Sequence, residues 1–368
     1  MRQIDRYLLD IRKQYEEEKS HIDQEQDMTF KALIFLFAEA TGEWLAAKRD
    51  DNHPLYSDML ELYFEVLMFM MAAELYDDHY TTITEIRGSD VTITLFCLDP
   101  TEIIANGLSR AKSSILFSAT LTPLSYYRSI LGGSEDEDST IGLPLPFDQH
   151  HLLAVTHGGI STKYVDRDSS YAPIAQSIYT ATAQKRGNYL VFFPSYEYMH
   201  KVYEHFTAQY PDIATLLQQN HMDEEERADF LARFDADNST TLIGFAVLGG
   251  IFSEGIDLKG DRLIGAVIVG TGIPKVTLRQ EQIRHYFDQK NGQGYDYAYT
   301  YPGMNKVLQA AGRVIRTEQD CGLVLLIDRR FTTASYRSLF PHHWSHMKTI
   351  RNSGELVRLI GEFPHFSS

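Results

Sequence analysis

Gln309-Ala310-Ala311-Gly312-Arg313-Val314-Ile315-Arg316 is the stretch whose reading decides how the rest of the chain is understood. Taken as a helix, it has two faces. Met304, Val307, Leu308, Ala311 and Ile315 recur at helical spacing and form one apolar stripe. Asn305, Gln309, Gly312 and Arg316 repeat on the opposite side, with Arg313 beside them and Pro302 at the first turn. A polar face carrying Gln, Gly and two Arg suits close approach to an anion. The guanidinium stays charged and donates paired hydrogen bonds to phosphate oxygens.

Working outward, short apolar runs alternate with helical patterns. His151–Val155, Tyr189–Phe193, Leu242–Leu248, Leu263–Val269 and Leu323–Ile327 are β-rich. Tyr196–Phe206, Glu224–Phe234 and Val276–Phe287 keep helical spacing between them. Such alternation predicts an α/β fold, a mainly parallel sheet with helices on both faces. Ser113–Ser118 reads as a further short strand, and Thr82–Ile86 with Val91–Leu98 as a hairpin around Arg87-Gly88-Ser89-Asp90. The first eighty residues read as three amphipathic helices broken at Asp50-Asp51-Asn52-His53-Pro54, a small all-helical unit. Gly132–Asp138, with its acid run, and Asn291–Gly294 read as loops.

Composition narrows the function. The 368 residues carry a net charge of −16, from 34 basic and 50 acidic side chains, which excludes a wholly electrostatic nucleic-acid binder but not a local groove. Two cysteines, Cys97 and Cys321, cannot by themselves make a disulfide framework, a zinc site or an iron–sulfur cluster. Both lie in apolar runs, which predicts buried free thiols. The opening segment is charged, and the run Val66–Ala73 is too short to span a bilayer, so a soluble, cytoplasmic protein is expected. His342, His343 and His346 have no nearby third ligand and read as part of a packed helix beside Trp344.

In an open parallel sheet, function gathers at the strands' carboxyl ends. Ser118-Ala119-Thr120-Leu121-Thr122, Phe193-Pro194-Ser195-Tyr196 and Gly249–Asp257, which ends Ser253-Glu254-Gly255-Ile256-Asp257, each follow a predicted strand. With Gln309–Arg316 they make four motifs in fixed order. In that order the chain resembles the DinG/XPD family of superfamily 2 DNA helicases, from about Leu95 to the C-terminus. Ser118–Thr122 matches the family's motif III, Phe193–Tyr196 its motif IV, Ser253–Asp257 its motif V and Gln309–Arg316 its motif VI, and Asp320-Cys321-Gly322 and Leu326–Phe331 also look like it.

The resemblance implies a RecA-like second motor domain over 119–368, connecting strands over 81–118 at the motor-domain junction, and an arch-like helical insertion over 1–80. It implies Arg313 and Arg316 as arginine fingers toward ATP on an opposite domain, with Gln309 positioning the nucleotide or its attacking water. Gly312 would allow close approach of the helix. Glu254, Gly255 and Asp257 would couple nucleotide state to the DNA path. Ser118, Thr120 and Thr122 would sit at the motor-domain junction and along the DNA. Ser195 and Tyr196 would contact single-stranded DNA by hydrogen bonding and stacking. ATP and Mg²⁺, a monomeric state and 5′→3′ polarity come with the resemblance.

Three departures qualify it. No G-x-x-x-x-G-K-[ST] loop occurs, and no Gly-Lys pair exists in the chain. Nor does an acidic box for Mg²⁺ end an apolar strand; Asp223-Glu224-Glu225-Glu226 reads as a helix start. The four cysteines of the family's iron–sulfur cluster are absent too. The expectation is a C-terminal helicase portion that works with an upstream RecA-like domain of the same polypeptide and is inactive without it. The competing reading is a stand-alone nucleic-acid-binding or interaction module derived from a helicase, which has no physical need of Arg313 and Arg316.

Overall fold

Apolar alternation in the chain's second half generates the dominant layer. A computed structural model describes residues 1–49, 53–253 and 256–366, and the chain divides into two units. One comprises Met1–Ser113 with Ile130–Gly133, the other Ser114–Ser129 with Ser134–Ser368.

In the first unit, helix α1 (Arg2–Gln14), strand β1 (Ser20–Asp23), α2 (Met28–Lys48) and α3 (Tyr56–Glu74) precede the hairpin β2 (Tyr80–Arg87) and β3 (Asp90–Cys97) and then α4 (Thr101–Leu108). Asp27 caps α2 by accepting from the Phe30 amide at 2.9 Å. The three strands pair antiparallel in the order β1-β2-β3, with Ile83 between Ile22 and Thr94. The first eighty residues are therefore not all helical. Ser-His-Ile-Asp is too short to carry a period of its own, and pairing with β2 makes it a strand. The expected break at Asp50, Asp51 and Asn52 lies outside the described residues.

The second unit runs α5 (Leu124–Ile130), β4 (Leu152–His157), α6 (Arg167–Thr182), β5 (Asn188–Phe193), α7 (Tyr196–Gln209), β6 (Ala214–Leu217), α8 (Glu224–Ala232), β7 (Leu242–Val247) and β8 (Gly265–Val269). It continues through α9 (Leu278–Asn291), α10 (Tyr301–Ala311), β9 (Gly322–Ile327), α11 (Ala334–Arg337), β10 (Lys348–Ile350) and α12 (Ser353–Gly361). Seven strands form one sheet ordered β10-β4-β9-β8-β5-β7-β6, every pair parallel. This is the RecA-like α/β fold.

Strand side chains sort by parity. Ala154, Leu190, Phe192, Ala266, Ile268, Val324 and Leu326 pack in one core with Phe230 of α8 and Met304, Val307 and Leu308 of α10. Their neighbours Val155, Tyr189, Val191, Val267, Leu323 and Leu325 pack in the other with Ile174 and Ile178 of α6, Met199 and Phe206 of α7, and Leu356 of α12. Each of the five central strands, β4, β5, β7, β8 and β9, is buried on both faces, which is why its sequence is continuously apolar.

The expected strand at Ser113–Ser118 does not form: these residues are exposed and without regular structure, Ile115 at 85% and Phe117 at 90%. β propensity has no ladder to join there. Cys97 and Cys321 are half-buried free thiols rather than fully buried ones. The acids at 223–226 do start a helix, with Asp223 and Glu226 closing a capping box.

Candidate nucleotide- and nucleic-acid-facing site

The apolar stripe of α10 seats the helix on the sheet. Gly303 permits this, because a Cβ there would lie 2.6 Å from the Thr271 carbonyl oxygen. Pro302 occupies the first turn. The helix stops earlier than its sequence suggests, at Ala311, and Gly312 caps it. The reason lies downstream. The buried Asp320 carboxylate accepts from the amides of Arg316 at 2.7 Å and Thr317 at 2.8 Å, and from Thr317 Oγ1 at 2.6 Å. These bonds hold 316–317 in a turn in place of helical bonds, while Val314 remains buried in the same core. Arg313 and Arg316 thus leave the helix and point to different partners.

Arg313 is half-buried and holds the preceding loop. Its Nε donates to the Ser253 carbonyl at 3.2 Å and a terminal nitrogen to the Ile256 carbonyl at 2.9 Å. The loop is anchored from within as well: Phe252, Ile256 and Leu258 are buried in the core that α10 completes, and Ser253 Oγ donates to the Gly250 carbonyl at 2.9 Å. Glu254 and Gly255 lie outside the described residues. Arg316 is exposed, and its guanidinium lies 3.4 Å from Asp257, which also meets Lys259 at 2.9 Å. The hydrogen bond from Lys259, aided by the charges of Lys259 and Arg316, holds the Asp257 carboxyl below its usual range. Gln309 is half-buried on α10.

The loop's other end reaches the carboxyl edge of the sheet. Gly249 follows β7 at φ 69°, a conformation suited to glycine, and Lys306 of α10 packs over it. Beside it opens a cleft of about 480 Å³ whose lining includes Tyr196, Gln218, Asn220, Arg227 and Gly250. Ser195 is the N-cap of α7, accepting from the Tyr198 amide at 3.3 Å; its hydroxyl proton stays available for donation. Tyr196 OH accepts from Gln218 Nε2 at 2.9 Å, and Gln218 Oε1 accepts from the Val247 amide at 2.9 Å.

Gln218 and Lys306 were not singled out from sequence. The polar run Gln218-Gln219-Asn220 directly after an apolar strand was the available signal.

Ser118, Thr120 and Thr122 form a local turn, with the Thr120 amide donating to Ser118 Oγ at 3.3 Å. Among the described residues no hydrogen bond joins them to Ser195 or Tyr196. At the end of β9, buried Asp328 accepts from the Thr162 amide at 3.1 Å and from Arg330 Nε at 2.8 Å, with Thr162 Oγ1 as a further donor. Burial alone would raise its pKa, but Arg330 and Thr162 lower it on balance. The acids available here do not fit a Mg²⁺ box: Asp223 and Glu226 are spent on each other's backbone amides.

Comparison with known proteins bears on this geometry. A family profile described as "Helicase C-terminal domain" matches residues 178–347. The ATP-dependent DNA helicase CHL1 of Coccidioides immitis is 25% identical over 336 residues, covering 79% of this chain and 39% of its own length. The ATP-dependent DNA helicase DinG of Photobacterium profundum is 28% identical over 242 residues, covering 62% and 33%. The solved structure XPD_APO has the same fold at TM-score 0.55 and 19% identity, covering 84% of this chain and 61% of its own. Over residues 178–347 this chain matches the helicase C-terminal domain, and it resembles the DinG/XPD-type superfamily 2 helicases. The chain spans about two-fifths or less of the length of these curated DinG/XPD relatives. The family profile covers β5 through α11 and so contains both the Gly249–Asp257 loop and the Arg313–Arg316 turn. No helix among the described residues is long and apolar enough to cross a membrane.

Proposed function

We propose that this chain is the second motor domain, with an adjoining largely helical insertion over about residues 1–80, of an ATP-dependent DNA helicase. In this reading a nucleotide-binding RecA-like domain supplies the phosphate loop and the Mg²⁺ carboxylates. The observation that carries it is the single loop Gly249–Asp257. One end lines the cleft at the sheet's carboxyl edge, and the other is held by Arg313 and meets Arg316. A loop tied at both places is suited to transmit nucleotide state to a nucleic-acid path.

Each residue has a physical task in that reading. Arg316, held only loosely by an exposed carboxylate, exchanges Asp257 for a phosphate oxygen across the inter-domain cleft and stabilises transition-state charge there. Arg313 keeps the loop in register, and Gln309 faces the same cleft from α10. Ser195 donates its free hydroxyl proton to a DNA phosphate, and Tyr196 presents a ring steadied by Gln218 for a base to stack on. Ser118, Thr120 and Thr122 meet DNA and the other motor domain from the exposed junction segment. Glu254, Gly255 and Asp257 couple nucleotide state to the DNA path, and Gly312 allows close approach of the helix end.

The test is DNA-stimulated ATP hydrolysis, measured for the chain alone and for the chain joined to a DinG-type nucleotide-binding domain. Turnover only in the joined protein is expected; turnover by the chain alone would overturn the proposal. The chain alone should bind single strands weakly, with affinity falling as salt rises. Tyr196→Ala should cost about 1–3 kcal/mol of that binding. Affinity that ignores both salt and Tyr196→Ala would remove the cleft from the DNA path.

A further inference from the structure

The opposite edge of the seven-stranded sheet, at the strands' amino ends, carries a second constellation that plays no part in the helicase reading. β4 and β9 are parallel neighbours in register Leu152 to Gly322. The residues just before them, His151 and Cys321, therefore fall side by side, since adjacent strands lie about 4.8 Å apart. The C-terminal segment brings His365 to the same place. Phe363 and Phe366 are buried on either side of it, and Lys185 Nζ donates to the His365 carbonyl at 3.0 Å. The imidazoles of His151 and His365 meet edge to face at 4.9 Å.

One ligand atom each from His151, Cys321 and His365 lie within 4.8 Å of one another. His151 Nδ1 is buried with no hydrogen-bond partner, a costly state for a polar atom unless something else satisfies it.

We propose that His151, Cys321 and His365 form a binding site for a zinc-class divalent cation, which fastens the C-terminal segment to the amino-end edge of the sheet. Two imidazole nitrogens and a thiolate are the donors that Zn²⁺ takes, at about 2.0–2.3 Å in a tetrahedron with water in the fourth position. Donors so placed sit about 3.5 Å apart, a contraction that side-chain rotation supplies. Hard cations such as Mg²⁺ and Ca²⁺ require oxygen ligands and are disfavoured by this set. Binding forms two metal–nitrogen bonds and one metal–sulfur bond, breaks the Cys321 S–H bond and releases that proton to solvent. Burial raises the Cys321 thiol pKa, so in the metal-free protein the thiol keeps its proton and donates to the Gln319 carbonyl at 3.6 Å. Lys185 adds a positive charge nearby that opposes the cation and favours the thiolate.

Sequence spacing gives no sign of this site, because its ligands lie far apart in the chain and meet only through the β4–β9 register and the path of the C-terminal segment.

The experiment uses the purified chain, freed of metal by chelation and titrated with Co²⁺ or Zn²⁺ chloride. Co²⁺ should produce a thiolate-to-metal charge-transfer absorption at one equivalent, and Zn²⁺ should raise the unfolding midpoint. Cys321→Ser should abolish the absorption, and His365→Asn should weaken affinity by more than the roughly 10–100-fold that losing a hydrogen-bond partner of a metal ligand costs. In the unmutated chain, which removes any concern about folding, Zn²⁺ should slow alkylation of Cys321 and leave Cys97 unaffected. Equal alkylation of Cys321 with and without Zn²⁺, or a cobalt–thiolate band that survives Cys321→Ser, would overturn the site.

Discussion

The Gly249–Asp257 loop and the Ser113–Thr122 segment each contain a stretch that resembles a motor motif by sequence, yet they end in opposite physical states. The first is fixed along most of its length. Phe252, Ile256 and Leu258 are buried in the core, and Arg313 bonds two of its carbonyls. The second shows Ile115 and Phe117 to solvent at 85% and 90% and pairs with no strand among the described residues. The apolar residues are as β-prone in one as in the other, so local propensity does not separate them. What separates them is whether the partners that complete each motif lie in this unit. A loop whose partners are α10 and the sheet is finished here. A segment proposed to meet the other motor domain has no such partner among the described residues.

The largest expected effect tests the finished side. In the chain joined to a nucleotide-binding domain, Arg316→Ala should lower DNA-stimulated ATP turnover about 10³-fold, as loss of an arginine finger does, equal to roughly 4 kcal/mol of barrier. Lys should rescue poorly because it lacks the planar fork. The unfolding midpoint should hardly move, since Arg316 is exposed and its ion pair with Asp257 is a surface one. Near-normal turnover in Arg316→Ala would remove Arg316 from the chemistry.

A second effect concerns stability rather than rate. Asp328 is 1% exposed and Arg330 24%, so Asp328→Asn leaves a mostly buried guanidinium without its counter-charge. The cost at neutral pH should be about 2–3 kcal/mol, somewhat below that for fully buried pairs. The sign in pH follows from the lowered carboxyl pKa of the folded protein. Its stabilisation is fully present above the ordinary Asp value of about 4 and is lost as pH falls through the depressed one. Chemical denaturation should therefore show the difference between variant and parent shrinking below pH 4. A difference that stays constant from pH 7 to pH 3 would mean the charge is not what stabilises the β9 end.

Much of this was legible in the chain. The stripe of α10 could be read because the helix is longer than its period and buried on one fixed face, and the five central strands because they are continuous apolar runs buried on both faces. Edge strands β6 and β10 were not, being four and three residues long and made by pairing rather than pattern. The end of α10 was misread because its cause, Asp320, lies nine residues beyond Ala311 and acts through backbone amides. Gln218 escaped notice because its value comes from reaching both Tyr196 and the Val247 amide, a relation set by neighbouring strands. Motifs identify which residues matter; only their partners show that Arg313 and Arg316 do different work.

That distinction gives the third effect. Arg313→Ala removes two charge-assisted hydrogen bonds to the loop, each worth about 1.5–3 kcal/mol where sheltered from water. Arg313 is only half-buried, so a total near 2 kcal/mol is expected, read as a lower unfolding midpoint of the chain alone. Turnover in the joined protein should fall as well, but with the midpoint, unlike in Arg316→Ala. If Arg313→Ala left the midpoint unchanged while abolishing turnover, Arg313 would be a second finger and not a brace.

The smallest effect tests the unfinished side and is informative because it is small. Phe117→Ser in the chain alone should change stability by no more than about 0.5 kcal/mol, the usual range for a surface position. The side chain is 90% exposed, so removing the ring costs no packing. If anything, it should improve solubility by removing part of an exposed apolar run. In the chain joined to a nucleotide-binding domain the same substitution should behave differently. There the segment is proposed to meet the other motor domain, and loss of a Phe buried in that contact costs about 3 kcal/mol or more. The contrast between the two backgrounds, measured by denaturant midpoint in each, is the observable. A small effect in both would mean that the segment stays unpaired even in the joined motor. A large effect in the chain alone would mean that Phe117 is already packed there, and the opposition between the two motifs would be void.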